Sequence, residues 1–189
     1  MSEEVFESQL LQKIDMSDIK LPPNLVVRPL TIEDNENGFF ELLAQLTKVG
    51  EISVEEFEAR FNQMKNSKCY FVLVVADEEQ NGKIIGTATL ILEQKFIRQC
   101  ALKGRVEEVV VDESARGTGL GKYLVLACTR LSKQLGVYKT TLECAPHNVK
   151  FYEKAGYSDA GEKYMQIRFL KALKIIKRCL KKTYFTDSK

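Results

Sequence analysis

Six consecutive residues, Arg116 to Gly121, have the types expected where a protein holds a phosphate group. They read Arg-Gly-Thr-Gly-Leu-Gly. Glycine adopts positive φ without strain and lets a ligand approach the backbone closely, while Arg116 supplies a fixed positive charge. The stretch therefore predicts a loop that cradles a pyrophosphate. It is not a P-loop, since no Gly-Lys-Ser/Thr follows, nor a Rossmann fingerprint, which needs Gly-x-Gly-x-x-Gly. An ordinary glycine-rich connection between a strand and a helix is the alternative.

The elements on either side would place this loop at the start of a helix. The β-branched run from Val106 to Val111 predicts a strand. After the loop, apolar residues recur at helical spacing until Gly136 ends the pattern; they are Leu120, Tyr123, Leu124, Ala127, Leu131 and Leu135. The first amides of a helix have no internal partner and point at any anion placed there. The sequence thus predicts strand, anion-binding loop and helix in succession.

The pattern Arg-x-x-Gly-x-Gly after a strand resembles the coenzyme A pyrophosphate loop of the GCN5-related N-acetyltransferases. Hydrophobic patterning along the chain predicts the element order β-α-α-β-β-β-α-β-α-β, with a last strand at residues 162–169, and that fold has the same order. We therefore expect an α/β fold (an α+β mixed sheet), in which helices flank a central, mostly antiparallel sheet. The expected division is a leader at 1–24, the acetyltransferase domain at 25–168 and a basic amphipathic tail at 169–189.

A second stretch, Leu142 to Tyr157, carries groups suited to acyl transfer. Asn148 and Tyr152 are four residues apart and would share one face of a helix. Transfer from a thioester to an amine needs a neutral amine and a donor for the leaving thiolate. A tyrosine hydroxyl can serve as that donor, and a carboxylate can deprotonate or orient the amine. Tyr152 could instead be a core aromatic, but the loop upstream favours catalysis.

Several segments in the right order narrow the resemblance to the glucosamine 6-phosphate N-acetyltransferase family. They are LTKVG, LILEQKFIRQCALKGRVEE, RVEEVVV, ARGTGLGKYLV, YKTTLECAPHNVKFYEKAGY and YMQIRF. The resemblance covers roughly Leu25 to Arg168 and excludes the tail. It implies acetylation of glucosamine 6-phosphate by acetyl-CoA on the way to UDP-N-acetylglucosamine, by a homodimer.

The same resemblance implies a role for each matching residue. Acetyl-CoA would be bound by Glu107, Glu108, Val109, Arg116, Gly117, Thr118, Gly119, Leu120 and Gly121. The substrate, through its phosphate and its hydroxyls, would be bound by Thr47, Lys95, Arg98, Glu107, Glu143 and Arg168. Tyr152, Glu143 and Asn148 would be catalytic, with Asn148 and Tyr152 facing the sulfur. The family usually has Glu-Asp where this chain has Glu107-Glu108, so the role of the second carboxylate is open.

The basic residues of that set also make physical sense without the resemblance. A phosphomonoester carries close to two negative charges at neutral pH, and Lys and Arg are its usual ligands. Lys95 and Arg98 are three residues apart in a short connection and could converge on one phosphate. Each could equally be a solvated surface charge.

Composition limits the class of protein. The chain has 189 residues, a net charge of +2 and 44% hydrophobic residues, which fits a soluble globular domain and gives no reason to expect nucleic acid as a partner. No secretory signal or membrane span is evident. One histidine and five cysteines without a Cys-x-x-Cys pair predict no metal site and a reducing, cytoplasmic location. The basic tail could lie on an anionic membrane, although a packed helix with solvated charges is favoured.

Two other functions stay open from the sequence alone. The first is an N-acetyltransferase whose acceptor is a protein lysine or a polyamine. A lysine amine, with a pKa of roughly 10.4, needs a stronger base than an amino sugar does, and a polyamine site should be rich in acids. The second is a CoA-binding module without turnover, against which the retention of Glu143, Asn148 and Tyr152 argues.

Overall fold

Five strands form the sheet in the computed structural model, which describes residues 3–169. The strands are β1 (Leu25–Pro29), β2 (Tyr70–Asp77), β3 (Lys83–Gln94), β4 (Leu102–Val111) and β5 (Thr140–Thr141), and they lie in that order across the sheet. Neighbouring strands from β1 to β4 are antiparallel, and β5 is parallel to β4. The predicted α/β fold with a mostly antiparallel sheet is therefore confirmed.

Within residues 3–169, six α-helices accompany the sheet: α1 (Gln9–Gln12), α2 (Phe39–Ala44), α3 (Val54–Ser67), α4 (Ile97–Cys100), α5 (Leu120–Gln134) and α6 (Val149–Glu153). Ser53 followed three residues later by Glu56 is the sequence signature of a capping box, and this box opens α3: Ser53 Oγ accepts from the Glu56 amide and the Glu56 carboxylate accepts from the Ser53 amide. The α4 segment is not a regular helix. Arg98, Gln99 and Cys100 all have φ between 54° and 59°, in the left-handed region that costs non-glycine residues energy.

Residues 3–158 form one compact unit, and residues 159–169 belong to a second. In the first unit β2 is buried on both faces, which explains its continuous hydrophobic run. Phe71, Leu73 and Val75 pack in the core beneath α5, whereas Val72 and Val74 pack with Phe39, Leu42, Phe57 and Phe61 of α2 and α3. The sheet is thus a middle layer between helices.

The prediction of a last strand at residues 162–169 was wrong, since the structure assigns no strand there. A strand needs a neighbouring edge to satisfy its backbone groups; hydrophobic alternation alone does not supply one. Tyr164, Met165, Ile167 and Phe169 of this segment are exposed to solvent. The fifth strand is short and pairs over only Thr140 and Thr141.

The residues before β1 include a helix that contacts α5. The Val5 amide donates to the Leu30 carbonyl at 2.9 Å, and Asp18 pairs with Arg130 of α5. Nearly all of the predicted basic tail falls outside the described residues. Within residues 3–169, no helix is both long and apolar enough to cross a membrane.

Candidate functional site

The pairing of β4 with β5 ends at Arg105, and we call the space beside the rest of β4 the cleft. The two strands pair only at Gly104 with Thr140 and at Arg105 with Thr141. Beyond that point β4 continues to Val111, while β5 ends and the chain runs on to α6. The parting strands leave the second half of β4, which carries Glu107, Glu108 and Val109, without a partner on its β5 side.

A β-bulge lies in this half of β4. Thr87 of β3 pairs with Val110 and Thr89 pairs with Glu107, so Glu108 and Val109 together oppose the single residue Ala88. Glu108 has a φ of 52°, in the left-handed region that side chains rarely adopt. A bulge releases backbone groups from the ladder and re-aims a side chain. The backbone of Glu108 and Val109 is thereby available to a bound molecule.

One arginine joins two of the carboxylates expected in the site. Arg105 donates through Nε to Glu107 Oε1 and through Nη2 to Glu143 Oε2. Since Glu107 is on β4 and Glu143 follows β5, this contact bridges the mouth of the cleft. Arg105 therefore holds these two carboxylates close together.

Glu108 differs from those two acids because it has no ion pair in the structure's described residues. Its Oε2 accepts one long hydrogen bond, from Thr89 Oγ1 at 3.3 Å. Desolvation by burial raises the pKa of the Glu108 carboxyl; the Thr89 hydrogen bond and the charge of Arg60 oppose this, and the charge of Glu107 adds to it. Glu108 thus holds a proton more readily than an ordinary glutamate does.

Glu108→Gln is expected to raise the Tm at pH 7.5 and to leave it nearly unchanged at pH 3.5. The folded-state pKa of Glu108 lies above its ordinary value, so its contribution to stability is lost as pH rises through the folded pKa. At pH 3.5 the carboxyl is mostly protonated in both states, and the amide then changes little. Calorimetry at the two pH values checks this, and Glu107→Gln, which breaks an Arg105 contact, is the control that should gain no stability. A Tm gain equal at both pH values would contradict the assignment.

The loop before α5 has the backbone expected of an anion cradle. Gly117 and Gly119 have φ values of 81° and 90°, and a Cβ built on either residue would meet no atom within 4 Å. Gly119 is the N-cap of α5, whose 15 residues make it one of the longest helices. The space in front of both glycines is therefore open to a ligand beside the unpaired amides of the helix.

Arg116 lies beside this loop, and most of its N–H donors are not used by the two contacts described here. Its Nε donates to the Val111 carbonyl at 3.2 Å, and its Nη2 donates to Gln45 Oε1 at 3.4 Å. A guanidinium has five N–H groups, so most remain for an anion. Thr118 Oγ1 donates to the Ala115 carbonyl at 2.7 Å and so helps to shape the loop.

α6 is packed against the start of α5, which places Tyr152 near the cleft. A Cβ on Gly121 would lie 3.3 Å from the Phe151 ring, so a side chain at this position would crowd the ring. Tyr152 is half-buried, and its hydroxyl makes no hydrogen bond to another described residue. Burial, and to a smaller extent the Cys144 thiol, raise the pKa of Tyr152, so the hydroxyl keeps its proton at neutral pH. Asn148, exposed at the N-cap of α6, makes no side-chain capping bond.

Two cations expected at the sugar phosphate, Lys95 and Arg98, each make a contact of their own. Lys95 pairs with Glu93, which also binds Lys103 at 3.3 Å, and the Arg98 guanidinium lies 4.8 Å from the centre of the Tyr138 ring. This group lies at the turn between β3 and β4. Four residues of β4 separate Lys103 of this group from the carboxylate-bearing Glu107, a distance along the strand of about 13 Å at about 3.3 Å per residue.

Thr47 and Arg168 are the two other residues predicted to bind the substrate. Thr47 is exposed just after α2, where its amide donates to the Leu43 carbonyl. Arg168 belongs to the separate unit and donates from Nε to Gln166 Oε1 at 3.4 Å. Their roles remain predictions.

The sequence reasoning missed two residues that shape the site, Arg105 and Gln45. Arg105 had a signal, because residues two apart on a strand share a face and Glu107 is two residues on. Gln45 had none, since its partners lie 67 to 71 residues further along the chain.

Comparison with known proteins gives a consistent picture. Residues 37–157 match the acetyltransferase (GNAT) family. A probable glucosamine 6-phosphate N-acetyltransferase of Drosophila melanogaster is 47% identical over 135 residues, which are 71% of this chain and 61% of that protein. The chain thus spans about three-fifths of that relative.

A plant enzyme is similar in sequence, and a plant crystal structure in fold. The glucosamine 6-phosphate N-acetyltransferase of Arabidopsis thaliana is 42% identical over 133 residues, which are 70% of this chain and 89% of the relative. A crystal structure of glucosamine-6-phosphate N-acetyltransferase from Arabidopsis thaliana superposes with a TM-score of 0.73 at 37% identity, covering 77% of this chain and 98% of that one.

Proposed function

The chain belongs to the acetyltransferase (GNAT) family, and on that premise we propose that it transfers the acetyl group of acetyl-CoA to the amino group of glucosamine 6-phosphate. The products are N-acetylglucosamine 6-phosphate and CoA. The observation that carries the proposal is the cleft beside β4, which joins an anion cradle at one end to a set of carboxylates. The names of the Drosophila and Arabidopsis relatives support this choice of acceptor.

The described residues fit acetyl-CoA as the acetyl donor. Arg116 and the amides of residues 117 to 121 would hold its pyrophosphate, since the structure leaves that space open and positively charged. The bulged backbone of Glu108 and Val109 would hydrogen-bond the pantetheine arm, which then runs along β4 into the cleft. Acetyl-CoA would supply a thioester, whose thiolate is a good leaving group.

The carboxylates suit an acceptor that arrives as an ammonium ion. Glu107 and Glu143, held by Arg105, would attract the amine and bind sugar hydroxyls. The amine attacks only after it loses a proton, and Glu108 is the carboxyl best fitted to take it, because it has no ion pair in residues 3–169 and its pKa is raised. An amino sugar, with electron-withdrawing neighbours, makes a modest demand on this base.

Tyr152 would protonate the leaving thiolate. A thiolate in a site shielded from water is costly unless a donor meets it. The Tyr152 hydroxyl keeps its proton at neutral pH and is not engaged with another described residue. It would donate that proton to the departing sulfur, with the Asn148 amide as a second donor on the same face of α6.

Phosphate recognition and assembly complete the proposal. Thr47, Lys95, Arg98 and Arg168 would bind the phosphate and hydroxyls of the sugar.

A homodimer is proposed because the resemblance implies it and because Tyr164, Met165, Ile167 and Phe169 expose apolar side chains that a second copy could cover. A reducing, cytoplasmic setting fits the four described cysteines, which are all free thiols.

Release of free thiol from acetyl-CoA in the presence of different amines tests this function. The protein is assayed with glucosamine 6-phosphate, with spermidine and with a lysine-containing peptide at equal concentrations. We expect turnover with the amino-sugar phosphate to exceed the other two by at least about tenfold. Preference for spermidine or the peptide would support the rival acceptors, and acetyl-CoA binding without thiol release would indicate a module without turnover.

A further inference from the structure

Gln45 links the end of α2 to the loop that would bind the CoA pyrophosphate. Its side chain uses both ends of its amide: Nε2 donates to Asp112 Oδ2 at 2.9 Å, and Oε1 accepts from the Glu113 amide at 3.0 Å. Oε1 also accepts from Arg116 Nη2 at 3.4 Å. All three partners precede Gly117 by at most five residues. One side chain thus spans the segment from which the cradle begins.

Asp112, the partner of Gln45 Nε2, is itself held in place. Asp112 is 9% exposed, and its backbone amide donates to the Ile85 carbonyl at 2.8 Å, which anchors the residue to β3. Its Oδ1 accepts from the amide and hydroxyl of Ser114, so Gln45 occupies the other oxygen. The Ser114 contacts lower the pKa of Asp112, so the group stays an acceptor at neutral pH.

The neutrality of Gln45 matters for Arg116. The amide oxygen orients the guanidinium but does not cancel its charge, and the donors of Arg116 that bind neither Gln45 nor Val111 remain for an anion. A carboxylate at the same place would form an ion pair with Arg116 and would stand against Asp112. The geometry therefore suits a residue that aims Arg116 and leaves its charge available.

We propose that Gln45 is the positioning residue for Arg116, and that through this contact it sets the affinity of the protein for CoA. The proposal rests on the proposed function in one respect, the assignment of the loop to CoA. Gln45 does not contact the reacting atoms, so it acts on binding rather than on the chemical step.

Calorimetric titration with CoA tests the proposal on three single variants. Gln45→Ala removes all three contacts and is expected to raise the CoA Kd by about 10–100-fold, the range for hydrogen bonds to charged groups. Gln45→Glu should raise it further at low salt, because its carboxylate competes with pyrophosphate for Arg116, and high salt should narrow that difference. Gln134→Ala is the matched control: it deletes an exposed glutamine whose Nε2 donates to the Leu10 carbonyl, far along α5 from the loop, and should leave the Kd within twofold.

A double-mutant cycle shows whether Gln45 acts through Arg116. In an Arg116→Ala background, Gln45→Ala should raise the CoA Kd by no more than about threefold. The same factor in both backgrounds would overturn the proposal, and so would a Kd for Gln45→Ala within twofold of wild type. In steady state the KM for acetyl-CoA should rise while kcat stays within about threefold. A wrong acceptor assignment would leave the CoA affinities as predicted, so the two claims fail separately.

Discussion

Tyr152→Phe is expected to lower kcat by about 10²–10⁴-fold, the usual contribution of a general acid. The substitution keeps the ring, which packs against Phe151 and Tyr157, and removes only the hydroxyl. That hydroxyl has no hydrogen-bond partner elsewhere in residues 3–169, so its loss should cost little stability. The CoA Kd should change little, because the pyrophosphate loop is untouched. Single-turnover kinetics together with calorimetry measure the two quantities separately.

Tyr157→Phe is the matched control for this prediction. Thr129 Oγ1 already donates to the Val125 carbonyl at 2.7 Å, so the Tyr157 hydroxyl must be the donor in its 2.9 Å contact with Thr129. This tyrosine ties the segment after α6 to α5. Its loss should cost about 1 kcal/mol of stability with kcat nearly unchanged. If Tyr152→Phe behaved in the same way, with a lower Tm and a normal kcat, Tyr152 would have no role in the mechanism.

Gly119→Val is expected to raise the Kd for acetyl-CoA by about 10²-fold or more. The new side chain would enter the open space in front of the loop, where the pyrophosphate approaches. It would also disfavour the φ of 90° that sets the loop backbone. Losing two hydrogen bonds to a charged group costs about 3–6 kcal/mol, which accounts for the expected factor. Calorimetric titration measures the Kd, and circular dichroism checks the fold.

Gly136→Val separates lost binding from backbone strain. Gly136 has a φ of 78°, and a Cβ there would also meet no atom within 4 Å. It lies after the end of α5, whereas Gly119 lies before its start. Both variants should lose similar stability, but Gly136→Val should bind acetyl-CoA as the wild type does. Equal affinities for the two variants would place the CoA pyrophosphate elsewhere.

Much of the architecture follows from local sequence signals. The capping box at Ser53 and Glu56 correctly starts α3, and the run from Leu120 to Leu135 correctly gives α5, because helix starts and amphipathic faces are encoded within a few residues. β2 reads as a continuous apolar run because helices cover both faces of the sheet. The glycines at 117 and 119 are at positive φ, as their residue type allows.

The site depends on features that only the assembled sheet supplies. The bulge at Glu108 arises from the register between β3 and β4, and the residue type at that position does not predict it. The contact of Arg105 with Glu143 depends on β5 pairing briefly with β4 and then ending. Gln45 meets its partners through the packing of α2. Residues 162–169 have an apolar pattern typical of a strand, yet the pattern could not supply a partner edge.

The ratio of kcat/KM for glucosamine 6-phosphate to that for unphosphorylated glucosamine tests the proposed function most directly. Both sugars present the same amine to the cleft, so the ratio isolates the phosphate. Two or three lost charge-assisted contacts, at about 1.5–3 kcal/mol each, predict a ratio on the order of 10³ or more. Thiol release measured over a range of each sugar gives both constants. Values of kcat/KM within about threefold of each other would contradict glucosamine 6-phosphate as the acceptor.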